Sequence, residues 1–407
     1  MAPAAVAGAE FELVRGEGVF VWDAEGRRYL DGSSSLWYAN VGHGRTEITD
    51  AIAAQLAELE SFHTFGDFAN RPARELAERL SALAPQQRSK VFLTSGGGDS
   101  IETATKLARL WHRLRGEPER QHLISRTGGY HGTHGIGTSI LGMPYKDEFG
   151  PLVESTSQIQ WDEPAALEAE IGRLGAESVA AFVFEPVIGS GGVLVPPPGY
   201  LRDVERICRE HGVLTIADIV IGGFGRLGTW LAVERFDLSP DMIVFAKGVT
   251  SGYLPLGGVI AAPNIAEPFW NKQGAGHTFA HGTTYAGHPT CCAAAIANLD
   301  LLATDGLVNR ARELESNFLE KLTELCSHHR VNEVRGGVGL MAAVVLDSEL
   351  VLREPDIAQR LWSRAREAGL LTRWLRDGVA LAPPLTIGEE HIEFALDALA
   401  TALDGIA

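Results

Sequence analysis

The sequence predicts an α/β protein: a large domain with a mostly parallel sheet between helices, plus a smaller, discontinuous α+β domain. Three observations carry this. From Lys90 onward, short apolar runs, glycine-bearing turns and helical stretches alternate, the pattern of parallel strands joined by crossover helices. After about Asp305 the texture changes to a long helix, strand-like runs and a final helix from Glu389, which reads as a second, smaller unit. Each apolar run of the first region ends at a polar residue or a glycine turn, so polar groups gather at the carboxyl ends of the strands, where sheets of this kind bind ligands.

At 407 residues the chain has room for two domains. The expected division is 1–55 as the N-terminal segment of the small domain, 56–304 as the large domain and 305–407 as the C-terminal part of the small one. Hydrophobic residues at 45% and charged residues at 21% are ordinary for a globular protein, and no window approaches the ~20 apolar residues of a membrane span. The opening MAPAAVAGAE lacks a basic region and an apolar core, so no secretory signal is expected and a cytoplasmic location is. A formal charge of −17 without an offsetting basic run disfavours nucleic acid and anionic membrane as partners. Cys208, Cys291, Cys292 and Cys326 lack ligand spacing and are expected as buried free thiols, and the scattered histidines predict no metal.

In chain order, Gly18 to Asp31 reads as a hairpin turning at Asp23-Ala-Glu-Gly26. Gly32 to Arg45, rich in glycine and aromatics, reads as a loop lining something. Ile48–Leu59 and Ala73–Leu83 have helical spacing, as does Ile101–Arg115 after the strand Val91–Thr94. Strands follow at Val179–Phe184, Val213–Ala217 and Met242–Ala246, ending at Glu185, Asp218 and Lys247. Beyond Asp305, a helix to Leu325, strands within Val331–Leu346 and a helix around Asp356–Ala368 are expected.

Lys247 stands at the end of an apolar strand, where a cation must be paired, neutralised or covalently used. Desolvation lowers a lysine pKa and makes the amine a nucleophile toward an aldehyde; a side chain that snorkels to the sheet edge is the alternative. Ser95-Gly-Gly-Gly-Asp-Ser100 lies between a strand and a helix, so its N–H groups can converge on an anion, or it can simply cap the helix. It is neither GxGxxG nor a P-loop, which leaves a nucleotide site the weakest reading. Asp218 needs a cationic partner, such as a protonated pyridine nitrogen, or caps the next turn. Tyr130 in GGYHG can stack on a planar ring or merely pack.

With TSGGGDSIETATKLAR, GGYHG, FVFEPV, ADIVIGGFGR, FAKGVTSGYLPLGG and HGTTYAGHP in that order, the chain from about residue 18 to its end resembles the class III aminotransferases, pyridoxal-phosphate enzymes of fold type I. The resemblance implies Lys247 as the Schiff-base lysine and proton shuttle, with Asp218 on the pyridine nitrogen. It implies Val220 and Tyr130 on the two ring faces, and Gly97 and Gly98 on the phosphate. Thr284 would reach the phosphate of a neighbouring subunit, which implies a homodimer, or a tetramer built from it, with shared sites. The implied reaction is ping-pong transfer of an amino group to a keto acid.

Trp37 and Arg373 match the ω-aminotransferases that use amines or β-amino acids with pyruvate. There the arginine swings to grip the acceptor carboxylate through two parallel hydrogen bonds, and Glu185 is the expected pocket contact or partner for it. Relatives that use 2-oxoglutarate carry an arginine where this chain has Ala380. Two departures stand out: Ile219 where an acid commonly follows the aspartate, and Gly98 where serine is frequent. A 2-oxoglutarate-linked aminotransferase, a mutase, racemase or decarboxylase on the same cofactor, and a non-catalytic scaffold are the alternatives.

Overall fold

The computed structural model describes residues 8, 10–270 and 277–406; most of the N-terminal stretch considered above for a leader lies outside the described residues. β1 (Leu13–Glu17), β2 (Phe20–Asp23) and β3 (Arg28–Asp31) form an antiparallel meander, with the β2–β3 turn where Asp23 to Gly26 predicts it. The next seven strands are β4 (Lys90–Thr94), β5 (His122–Arg126), β6 (Thr156–Ile159), β7 (Val179–Phe184), β8 (Leu214–Asp218), β9 (Met242–Phe245) and β10 (Gly257–Ala261). They make one sheet in the order β4-β10-β9-β8-β7-β5-β6. All neighbours from β9 to β6 are parallel, and β10 runs antiparallel to both β9 and β4. β4 therefore points the same way as β9, and the carboxyl ends of β4, β5, β7, β8 and β9 share one edge.

The fully buried β7, β8 and β9 are apolar runs because helices cover both sheet faces, as in parallel sheets generally. β10 was not foreseen: its Gly257 and Gly258 read as loop. A Cβ on Gly258 would stand 2.4 Å from the Phe245 ring and 2.7 Å from the Phe92 carbonyl, so glycine here lets two strands close on it. The helix Gly97–Leu114 lays Ile101, Ala104, Leu107 and Ala108 on Leu123, Val183, Ile216, Val244 and Val259. Each large aliphatic buried this way contributes about 1.5–3 kcal/mol, which fixes the helix start over the sheet edge.

In the C-terminal region β11 (Val331–Gly336), β12 (Ala342–Leu346), β13 (Leu370–Leu371), β14 (Arg373–Trp374) and β15 (Gly378–Leu381) appear. β11-β12-β15-β14 is antiparallel, while β13 pairs in parallel with β3, so the two ends of the chain share a sheet. Helices Leu307–Thr323, Ile357–Glu367 and Glu389–Gly405 fall where the apolar spacing puts them.

Arg226, 0% exposed, fastens these parts to the large sheet. It donates to the Leu340 and Pro383 carbonyls at 3.1 and 2.6 Å, Ser34 Oγ at 2.9 Å and Asn40 Oδ1 at 3.0 Å. All four acceptors are neutral, and burial pushes its pKa down to about 9. Ile219, in the position where the family commonly has an acid, is buried in the apolar core. Cysteines 208, 291 and 292 are free and buried, but Cys326 is exposed: it lies in the last turn Glu324–Ser327, where Leu325 takes the inward position. Among the described residues no single helix is long and apolar enough to cross a membrane.

Candidate active site

A cavity of about 380 Å3 opens at the carboxyl edge of the large sheet, lined by Lys247, Asp218, Glu185, Tyr130, Val220 and the Gly97–Gly98 turn, with Trp37 and Arg373 at its outer wall. Of the ten residues singled out from the sequence, nine line this cavity. Thr284 is exposed and does not; its neighbour Thr283 places Oγ1 3.2 Å from Ser95 Oγ, which ties that segment to the glycine turn.

Lys247 leaves β9 in a left-handed conformation, φ 47°, at the head of a short turn. For a lysine that conformation costs energy, and the residue it holds lines the cavity. Burial lowers its pKa to about 8, against the opposing pull of Asp218 and Glu185, and the Arg373 charge lowers it further. The snorkelling alternative does not apply, since the amine stays at the cavity floor beside two carboxyl groups.

Asp218 ends β8 and is 4% exposed. Its Oδ1 accepts from the Val220 amide at 3.0 Å, which closes the turn that places Val220, and its Oδ2 lies 2.8 Å from His131 Nδ1. A carboxylate only accepts, so Nδ1 carries the proton in this pair. The capping alternative and the functional one therefore coexist: one oxygen holds the turn while the carboxylate still lines the cavity.

Glu185 follows β7 and accepts from the Tyr130 amide through Oε1 and the Gly189 amide through Oε2, both at 3.0 Å. Burial raises its pKa, which the His131 imidazole opposes and the nearby Asp218 reinforces. Its carbonyl accepts from the buried Arg126, so the Glu185 main chain and the Tyr130 loop are clamped together. Burial also raises the Tyr130 hydroxyl pKa.

The helix begins at Gly97, earlier than the apolar spacing indicates, because Gly97 and Gly98 form its first turn and leave their N–H groups without intrahelical partners. A Cβ on Gly97 would come within 3.2 Å of both Val220 methyls, and one on Gly98 within 3.0 to 3.1 Å of the His134 ring, so bare backbone lets both neighbours approach.

At the outer wall, the stretch read as a loop makes a tight kinked turn at Ser34–Trp37. Positive φ at Ser34, Ser35 and Trp37 twists Trp37 inward to 2% exposure. Arg373, on β14 directly across from Ala380 of β15, is exposed and among the described residues forms no ion pair. Sequence reasoning passed over His131 and His134, although both stand within or just after the quoted GGYHG; it also passed over Ser190 and Ile221, which line the cavity from loops, and Met143 and Tyr145, at the start of a short 3-10 helix, Pro144–Phe149.

Residues 3–403 match the family model described as aminotransferase class-III. A putrescine–pyruvate aminotransferase of Pseudomonas aeruginosa is 35% identical, the match covering 97% of this chain and 91% of that protein. A β-alanine–pyruvate aminotransferase of the same organism is also 35% identical, with 97% and 92% covered. Among solved structures, an (S)-enantioselective ω-transaminase from Thermomicrobium roseum superposes with a TM-score of 0.95 at 39% identity, covering 99% of this chain and 94% of that one. A PLP-bound amine transaminase from an uncultivated Pseudomonas species gives 0.94 at 38%, covering 100% and 97%.

Proposed function

The chain belongs to the class III aminotransferases, a pyridoxal-phosphate-dependent family of enzymes, and from that premise we propose that it moves the amino group of an amine or of a β- or ω-amino acid to pyruvate, with Lys247 at the centre of the reaction. The observation that carries this reading is the floor of the cavity. A lysine with a pKa lowered to about 8 shares it with a buried carboxylate held by His131.

The donor set fits pyridoxal phosphate at both ends. The free N–H groups of Gly97 and Gly98, at the start of an 18-residue helix, suit the phosphate. Asp218, held by its contact with His131, would suit a protonated ring nitrogen, while Tyr130 and Val220 would flank the two ring faces. When bound, the cofactor supplies an electron sink for the bond being broken.

This chain's residues then divide the work. Asp218 holds the proton on the ring nitrogen, and His131 holds Asp218 in line. Lys247 Nζ, deprotonated near pH 8, takes the proton from the amine-bearing carbon of the donor and returns one later. Trp37 and Tyr130 narrow the cavity and exclude water from the reacting carbon. Arg373, without an ion pair among the described residues, binds the acceptor carboxylate, and Glu185 receives the guanidinium when an uncharged amine occupies the site.

Ala380 leaves no guanidinium at the position that 2-oxoglutarate users carry, and this favours the smaller acceptor. We also take residues 1–55 and 305–407 as one small domain against a large one at 56–304, a division the β3–β13 pairing supports. The exposed Thr284 suits contact with a neighbouring subunit in a homodimer, and the site would then be shared. A cytoplasmic location is part of the same proposal.

The test offers an amine with either pyruvate or 2-oxoglutarate. Alanine formed at least about ten times faster than glutamate, in kcat/KM, is expected. Equal rates would remove the assignment of acceptor, and no amino transfer to either would remove the reading.

A further inference from the structure

We propose that His134 is a ligand of the cofactor phosphate, filling the place left by the missing side chain at Gly98; the proposal rests on the cofactor reading above. The first turn of the Gly97–Leu114 helix offers backbone N–H groups but no free hydroxyl. Ser95 Oγ is engaged with Thr283, Thr94 Oγ1 with Ser100 Oγ at 2.7 Å, and Ser100 Oγ also with the Gly96 carbonyl at 2.8 Å. Where serine is frequent in the family, Gly98 presents only hydrogen.

The space is not empty. A Cβ at Gly98 would meet His134 Cε1 at 3.0 Å and both ring nitrogens at 3.1 Å, so the imidazole packs against the point where a side chain of residue 98 would begin. His134 lines the same cavity as Lys247 and Asp218. Its backbone segment is fastened to the same helix. Glu102 Oε1 accepts from the Ile136 and Gly137 amides at 2.6 and 3.2 Å, and a Cβ on Gly132 would lie 3.1 Å from Gly98 Cα.

Asp99 Oδ1, from the first turn of the same helix, lies 3.6 Å from Nδ1. At 3.6 Å this contact is longer than a hydrogen bond, so Nδ1 need not carry the proton and Nε2–H is the donor assigned to the phosphate. A hydrogen bond to a charged group is worth about 1.5–3 kcal/mol, or about 10- to 100-fold in affinity.

The full chain, stripped of cofactor, is titrated calorimetrically with pyridoxamine 5′-phosphate and with pyridoxamine, which lacks the phosphate. His134→Ala should weaken the phosphorylated ligand about 10-fold or more and leave pyridoxamine unchanged. His134→Gln, which keeps a donor, should lose less, and adding Gly98→Ser to His134→Ala should recover most of the affinity. Unchanged binding of the phosphorylated ligand by His134→Ala, or an equal loss for both ligands, would overturn the assignment. Failure of the unaltered chain to bind either ligand would instead overturn the cofactor reading and this inference with it.

Discussion

At the floor of the cavity Asp218, His131 and Glu185 are at most 4% exposed, and each is hydrogen-bonded to a neighbour. At the mouth, Tyr145 is 38% exposed, and Arg373 is exposed and without an ion pair among the described residues. The floor rests on strand ends of one sheet; the mouth is assembled from β14, the Ser34–Trp37 turn, whose Trp37 is itself buried, and the short 3-10 helix Pro144–Phe149 that carries Tyr145. Buried polar groups with their partners in place resist movement, because breaking any one contact strands another group away from water. Exposed side chains on short elements move at little cost. The floor is thus suited to a reaction that does not vary, and the mouth to a choice of substrate that does.

The contrast can be broken experimentally, and the largest effect is expected at the floor. Lys247→Ala should lower kcat by about 10⁴-fold, near the upper end for removal of a general acid–base group, whatever the amine. A loss that varied strongly with the amine would place Lys247 in recognition and erase the distinction. At the mouth, Arg373→Ala should raise KM for pyruvate about 10- to 100-fold while the reaction with an uncharged amine changes little. An equal effect on both half-reactions would sink the switching role.

The smallest effect is one of pH. With Lys247 lowered to about 8, uptake of pyridoxal phosphate by the stripped chain should quicken about tenfold per pH unit below that value, because only the neutral amine attacks, and then level off. Acceleration continuing toward pH 10 would mean an amine still in water.

The difference between floor and mouth also explains what could be read from the sequence. Lys247, Asp218 and Glu185 end apolar strands, and strands announce themselves, so the sheet edge and its polar groups were legible. β10 was not, because its two glycines serve close strand contact and look like a loop. His131 was missed although it adjoins Tyr130: its role is a contact with Asp218, a residue distant in the chain, which no local pattern encodes. His134 likewise acquires meaning only beside Gly98. The wall at Met143 and Tyr145 comes from a 3-10 helix of six residues, Pro144–Phe149, too short and with no buried residue to leave a periodic trace.

The most direct measurement is the first half-reaction alone: the cofactor-loaded chain mixed with an amine and no acceptor, followed by its visible absorbance. The expected result is conversion to the spectrum of bound pyridoxamine phosphate, reversal on adding pyruvate, and neither change at a comparable rate in Lys247→Ala. An unaltered spectrum with every amine tried, or conversion by Lys247→Ala as fast as by the unaltered chain, would contradict the central place given to this lysine.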